Sequence, residues 1–185
     1  KDSDMILHSY QNLSFAYSLA GNHKTELQID YKIAKMAFAS GDSNMIARTY
    51  WRLGSAYAEI CKEAIRKGDS VNADLTYDRA IMDDSIALYI SEKLTDRQNI
   101  GVFLIALAAI YDKCNLCEDS NLIIQSHYIN FDYFHQAEQN YFKALQIYQQ
   151  LNYKEGLPDC YSGLALYYRN QGELANESHK VIAAR

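Results

Sequence analysis

Tyr50-Trp51-Arg52-Leu53-Gly54-Ser55-Ala56-Tyr57 is the stretch from which the fold can be read. A helix places residues i, i+3, i+4 and i+7 on one face, so Tyr50, Leu53, Gly54 and Tyr57 form a single stripe. Gly54 is the odd member. Inside a helix, glycine costs about 1 kcal/mol relative to alanine. The compensation expected is close approach of a neighbouring helix. The same offsets recur upstream at Tyr10, Leu13, Ser14 and Tyr17. They recur downstream at Leu104, Leu107, Ala108 and Tyr111, and again at Tyr161, Leu164, Ala165 and Tyr168. The closing tyrosines stand 40, 54 and 57 residues apart. Recurrence at such periods marks an array of helical repeats, each burying an apolar face on the next.

The rest of the chain fits an all-α protein. It has 185 residues with 49% apolar and 22% charged, ordinary for a domain with its own core. Pro158 is the only proline, which leaves most of the chain free to be helical. Sixteen tyrosines suit helix contacts in which one end of the ring stays wet. A net charge of −5 argues against a general nucleic-acid surface, which needs clustered Lys and Arg. No apolar run approaches the length that spans a bilayer, so no membrane insertion is expected.

Turn and capping residues divide the chain into helix pairs. Asp4 opens a helix that Gly21-Asn22 ends, and a second helix follows to about Ala39, with Leu27, Tyr31, Ala34 and Phe38 along one side. Asp42 or Ser43 caps the helix of the organising stretch, and Lys67-Gly68-Asp69-Ser70 closes it and caps the next. Asp96 begins the most apolar helix, with Ile100, Phe103, Leu104, Leu107 and Ile110, which is expected at the centre of the array. Residues 115–130 read as an insertion. A helix over Phe131–Leu151 follows, then one from Lys154 to Asn170 that Gly172 ends, then a shortened final helix. The repeats are 4–41, 42–95, 96–151 and 152–185.

These residues resemble the tetratricopeptide repeat (TPR) family, a helix–turn–helix repeat with the pattern W-x2-L-G-x2-Y and then A-x3-F. Tyr50, Leu53, Gly54 and Tyr57 fit the first half with Tyr in place of Trp. Ala137, Tyr141 and Ala144 fit the second. Ala80 and Ala87 also fit, but Asp84 stands where an aromatic is expected, and the spacing exceeds the family's usual length. The longer repeats resemble arrays fused to bacterial signalling proteins. The resemblance implies a right-handed superhelix of about four antiparallel helix pairs. It further implies a scaffold whose concave groove takes a protein or peptide ligand, a sensory or regulatory module of a larger protein. A free-standing adaptor is the alternative.

Carried over by position, the groove residues include Gln11, Phe15, Arg48, Trp51, Ser55, Asp112, Ser162 and Arg169, with Arg52 flanking Trp51. The positions that clamp a peptide C-terminal carboxylate in this family hold no suitable Lys and Asn here, so a chaperone tail is not the expected ligand. Trp51 is the only Trp. It can anchor a ligand between Arg48 and Arg52 or pack on an adjacent helix, and both uses suit a large aromatic.

No catalytic or cofactor motif is present, and no enzyme activity is expected. Cys114-Asn-Leu-Cys117 is a lone CxxC. His127 and His135 are its nearest further ligands, at spacings that match no zinc pattern. A thiol- or zinc-dependent sensor or enzyme built on that pair is the third reading. Asp83-Asp84 is expected on a solvated edge, because adjacent helical residues point about 100° apart. Met5 and Ile6 at one end, and Val181, Ile182 and Ala184 at the other, have no expected cover. The expectation is therefore self-association or further repeats or domains.

Overall fold

The helix ends follow from local chemistry. In the computed structural model, residues 2–114 and 132–183 are described, with side chains from 5 to 112 and from 135 to 172. Among these residues the chain is all-α: α1 (Asp2–Leu19), α2 (His23–Ser40), α3 (Ser43–Lys67), α4 (Ser70–Lys93), α5 (Arg97–Cys114), α6 (Asp132–Gln150) and α7 (Leu157–Ala183). A 3₁₀ turn at Lys154–Gly156 precedes α7. The side chain of Asn22 accepts the Thr25 N–H, Asp42 accepts those of Asn44 and Met45, and Asp69 accepts that of Asn72. Each satisfies amide groups that the first turn leaves open. Gly21, Gly41 and Gly68 close α1, α2 and α3 in the left-handed conformation at φ 69°, 68° and 77°. Among the described residues no helix is long and apolar enough to cross a membrane.

Successive helices pack on one another, α3 on α4 and α5 on α6 most extensively. Gly54 meets Ala80 and Asp84, while Cys61 meets Ala73, so the contact residues advance along α3 as they retreat along α4. Besides Asp83, the buried positions of α4 are Ala73, Tyr77, Ala80, Asp84, Ala87 and Ser91. They alternate steps of four and three, the rhythm of a helix seam packed knob into hole. Ala137, Tyr141, Ala144 and Tyr148 repeat it in α6. The expected central role of α5 matches its placement. Phe103, Leu104, Leu107 with Ala108 and Tyr111, and Ile110 fall in four separate apolar clusters, which join it to α3 and α4 on one side and α6 and α7 on the other.

The outer helices depart from the sequence reading. In α1, Leu13 is exposed and Ser14 is fully buried, because the Ser14 hydroxyl donates to Asp30 Oδ1 at 2.6 Å. Tyr10 and Tyr17 are half-buried. Met5, Ile6 and Leu13 are exposed around a shallow apolar cleft with Tyr10. In α2 the buried face is Glu26, Ile29, Asp30, Ile33, Ala34 and Ala37, and Tyr31 and Phe38 are exposed. In α7, Ala165 and Tyr168 are exposed, while Cys160, Leu164 and Tyr167 are buried. The inward stripe is thus one residue earlier than expected. Gly163 fixes it: a Cβ there would lie 2.2 Å from Tyr141 Cε1, so Gly163 is the point where the α6 ring comes closest. Gly172 does not end a helix. It lacks the left-handed conformation of the three closing glycines, and α7 runs through it. The expected fourth pair is, in the described residues, one helix.

Candidate ligand-binding face

In α3 and α5 the expected stripe residues are turned inward. Leu53 and Gly54 are buried in α3, with Tyr50 and Tyr57 half-buried, and Leu107, Ala108 and Tyr111 are buried in α5. With the stripe fixed, the helical period sets the direction of its neighbours. Trp51, Ser55 and Ala58 of α3 are half-buried, as are Val102, Ile105 and Ala109 of α5. Trp51 lies against Phe103, with ring centroids 6.1 Å apart and planes tilted by 35°. Trp51 and Val102 both pack on the buried trio Ala47, Ala87 and Phe103. Trp51 thus packs on α5, with part of its side chain left accessible. Arg48, one turn earlier, is exposed. The result is a largely apolar strip on α3 and α5 with a cation at one end.

The other expected groove residues divide. Gln11 of α1 is half-buried and Phe15 exposed; Ser162 and Arg169 of α7 are exposed. Two are held by polar partners on other helices, Arg52 while half-buried and Asp112 while buried. Arg52 Nε donates to Asp30 Oδ1 at 3.0 Å, so its charge is neutralised by a fully buried carboxylate. Asp112 is buried, and Asn170 Nδ2 donates to its Oδ2 at 3.1 Å. Helix position alone cannot reveal a partner on another helix. Cys117 and His127 lie outside the described residues, as do the side chains of Cys114 and of the helix end beyond Gly172; His135 is exposed. Among the described residues no three His, Cys, Asp or Glu side chains converge on a metal-sized site.

Asp83 and Asp84 are both fully buried, not on a solvated edge. Asp83 Oδ2 accepts from Arg79 Nε at 3.1 Å. The guanidinium of Arg79 also lies 5.8 Å from the Tyr57 ring centre, and the Tyr57 hydroxyl meets that of Tyr31 at 2.7 Å. Burial, together with that hydroxyl contact, pushes Tyr57 up to about 12. Asp84 occupies the space left by Gly54, where a Cβ would lie 2.3 Å from its Oδ1. Neither carboxyl oxygen of Asp84 has a hydrogen-bond partner among the described residues. The signal was present in the sequence: Asp84 stands four residues after Ala80, the offset at which Tyr141 follows Ala137 and a buried ring is expected.

Burial, and after it the charge of Asp83, raises the Asp84 carboxyl well above the ordinary range. The neutral acid is the form that packs. A raised carboxyl contributes stability below its unfolded pKa and loses it as pH rises toward the folded value. Chain stability should therefore decline as pH rises above about 4. Asp84→Asn, which keeps the shape without the proton, should flatten that decline. Asp83, also raised by burial but opposed by Arg79, leaves a smaller residual slope. Urea unfolding across a pH series measures it; equal slopes for the two proteins would clear Asp84 of the effect.

The chain matches no protein-family model and no curated protein.

Proposed function

We propose that this chain is a TPR-like scaffold that binds a segment of another protein on the α3–α5 face. In this reading the helix pairs form a right-handed superhelical array. The module senses or regulates within a larger bacterial signalling or transcription-regulating protein. The observation that carries the reading is the half-exposed strip of Trp51, Ala58, Val102, Ile105 and Ala109, with Arg48 beside it. Its backbone is helical, and the Trp51 ring lies against Phe103. Preformed apolar surface binds with little ordering cost on the protein side, and a fixed aromatic next to a cation is a common anchor.

The test is selection of peptides from a random display library on the immobilised chain, followed by titration of the synthetic peptides. Arg48→Glu, at an exposed position, and Trp51→Ala should each weaken binding by about tenfold or more, the scale of an interface anchor. The bound peptide should also shield Trp51 from acrylamide quenching. Failure to select any peptide, or full affinity in both variants, refutes the assignment of this face. The sequence of the flanking gene checks the wider role, since a kinase or DNA-binding domain on the same chain is expected.

A further inference from the structure

α4 has a second, exposed face that is mostly apolar, with Asp78 and Ser85 set among its large side chains. Val71, Leu75, Met82 and Tyr89 are 68%, 64%, 43% and 59% exposed, although they lie on one of the two best-packed helices. At 3.6 residues per turn they fall within about 40° of one another and run for about 27 Å. The buried row Ala73, Tyr77, Ala80, Asp84, Ala87 and Ser91 is on the opposite side. The exposed row is therefore turned away from α3. Leu75, Met82 and Tyr89 are spaced by seven, the repeat of a helix that receives another helix along its length.

Charge selects the occupant. Asp74 and Glu92 flank the row at the same angular position, eighteen residues apart, and Asp69 caps its first turn. Burial, and after it the charge of Asp78 one turn away, raises the Asp74 carboxyl above the ordinary range. Of the cations beside the row, Arg79 on its other flank is paired with Asp83, and Lys93 at the far end has its ammonium over the Tyr89 ring at 5.3 Å. A second copy of the chain fits poorly. Antiparallel pairing about Met82 stacks Leu75 on Tyr89 but brings Asp74 beside Glu92 of the other copy. Parallel pairing sets Asp78 against Asp78. An anionic lipid surface meets the same repulsion.

We propose that the outer face of α4 docks a cationic amphipathic helix of a partner protein. Its apolar side would rest on Val71, Leu75, Met82 and Tyr89, with Lys or Arg side chains toward Asp74 and Glu92. This face is separate from the α3–α5 strip, so either assignment can fail alone. The probe is a synthetic helical peptide of about 22 residues with leucines at heptad a and d positions and lysines on both flanks. A second peptide carries glutamates in place of the lysines. Fluorescence anisotropy at physiological salt should show saturable binding of the lysine peptide and none of the glutamate peptide. Leu75→Ser with Met82→Ser, at exposed positions, should weaken binding at least about tenfold without lowering the melting temperature. Asp74→Asn with Glu92→Gln should weaken it and reduce its salt dependence. Equal binding by the serine variant would mean general attraction to an acidic protein and overturn the proposal. So would absence of binding, equal binding of the glutamate peptide, association of the free chain that the serine variant abolishes, or recruitment to anionic vesicles through this face.

Discussion

Tyr148→Ala is expected to cost the chain about 3–5 kcal/mol, the scale of removing a large buried ring from a core that cannot collapse around the space. Tyr148 is 1% exposed. Its ring fits between two glycines from different elements. A Cβ on Gly101 of α5 would lie 2.4 Å from Cε1, and one on Gly156, in the turn before α7, would lie 2.4 Å from Cε2. Tyr153 closes a third side, edge to face at 5.2 Å, and Leu104, Ala144 and Cys160 complete the cluster. The backbone of two elements has been brought up to the ring edges, so its loss leaves a hollow that no side chain is placed to fill. Equilibrium urea unfolding provides the measurement. A loss below about 1 kcal/mol would show that α5, α6 and α7 are held together elsewhere. Burial and the neighbouring Cys160, Tyr153 and Asp159 raise the Tyr148 hydroxyl well above the ordinary phenol range. The ring therefore stays neutral, which is what such an enclosed site requires.

The second large effect is expected at Gly54. Gly54→Leu places atoms where Asp84 Oδ1 and the Ala80 carbonyl oxygen already stand, 2.3 and 3.1 Å from the first added carbon. The carbonyl belongs to a helix backbone and cannot swing aside. Asp84 is fully buried, so its side chain has no solvent to swing into. Overpacking of this kind costs about 1–3 kcal/mol, read as a lower urea midpoint. A partner substitution isolates the cause. Asp84→Ala should recover much of the loss caused by Gly54→Ala, so the double variant should be more stable than the two single losses predict. Strict additivity would remove Asp84 as the obstacle. An unchanged midpoint in Gly54→Leu would dismiss the close approach of α3 and α4 itself. Because α3 carries Trp51 and Arg48, forcing it off α4 should also weaken any ligand on the α3–α5 face.

Three of these glycine contacts, those between helices, share one logic. Gly54 receives Asp84, Gly163 receives Tyr141 and Gly101 receives Tyr148, and each incoming side chain stands four residues after a fully buried alanine. The alanine lets the helices close and the glycine admits the larger group. Asp84 is the polar member of this set, so the α3–α4 contact is the one whose strength should respond to pH.

Local chemistry by itself determined where most helices begin and end. Asn22, Asp42 and Asp69 cap their own first turns, and Gly21, Gly41 and Gly68 adopt the conformation that other residues resist, whatever lies beyond them. Composition likewise marked α5 as the helix covered on most sides, because so apolar a segment has no other favourable surroundings. What only the tertiary structure decided was which of two adjacent residues turns inward. A rotation of about 100° separates Leu13 from Ser14 and Tyr167 from Tyr168. Apolar pattern cannot choose between two tyrosines, and it would turn Leu13 inward in preference to Ser14. Asp30 across the interface chose Ser14 and claimed Arg52, the Tyr141 ring chose the Gly163 side of α7, and the gap at Gly54 took in Asp84. Each choice depends on a partner many residues away in the chain, and a polar group is buried where that partner supplies its hydrogen bond or its space. Gly172 makes the same point from the other side. A glycine ends a helix by taking a left-handed turn, and α7 gives it none.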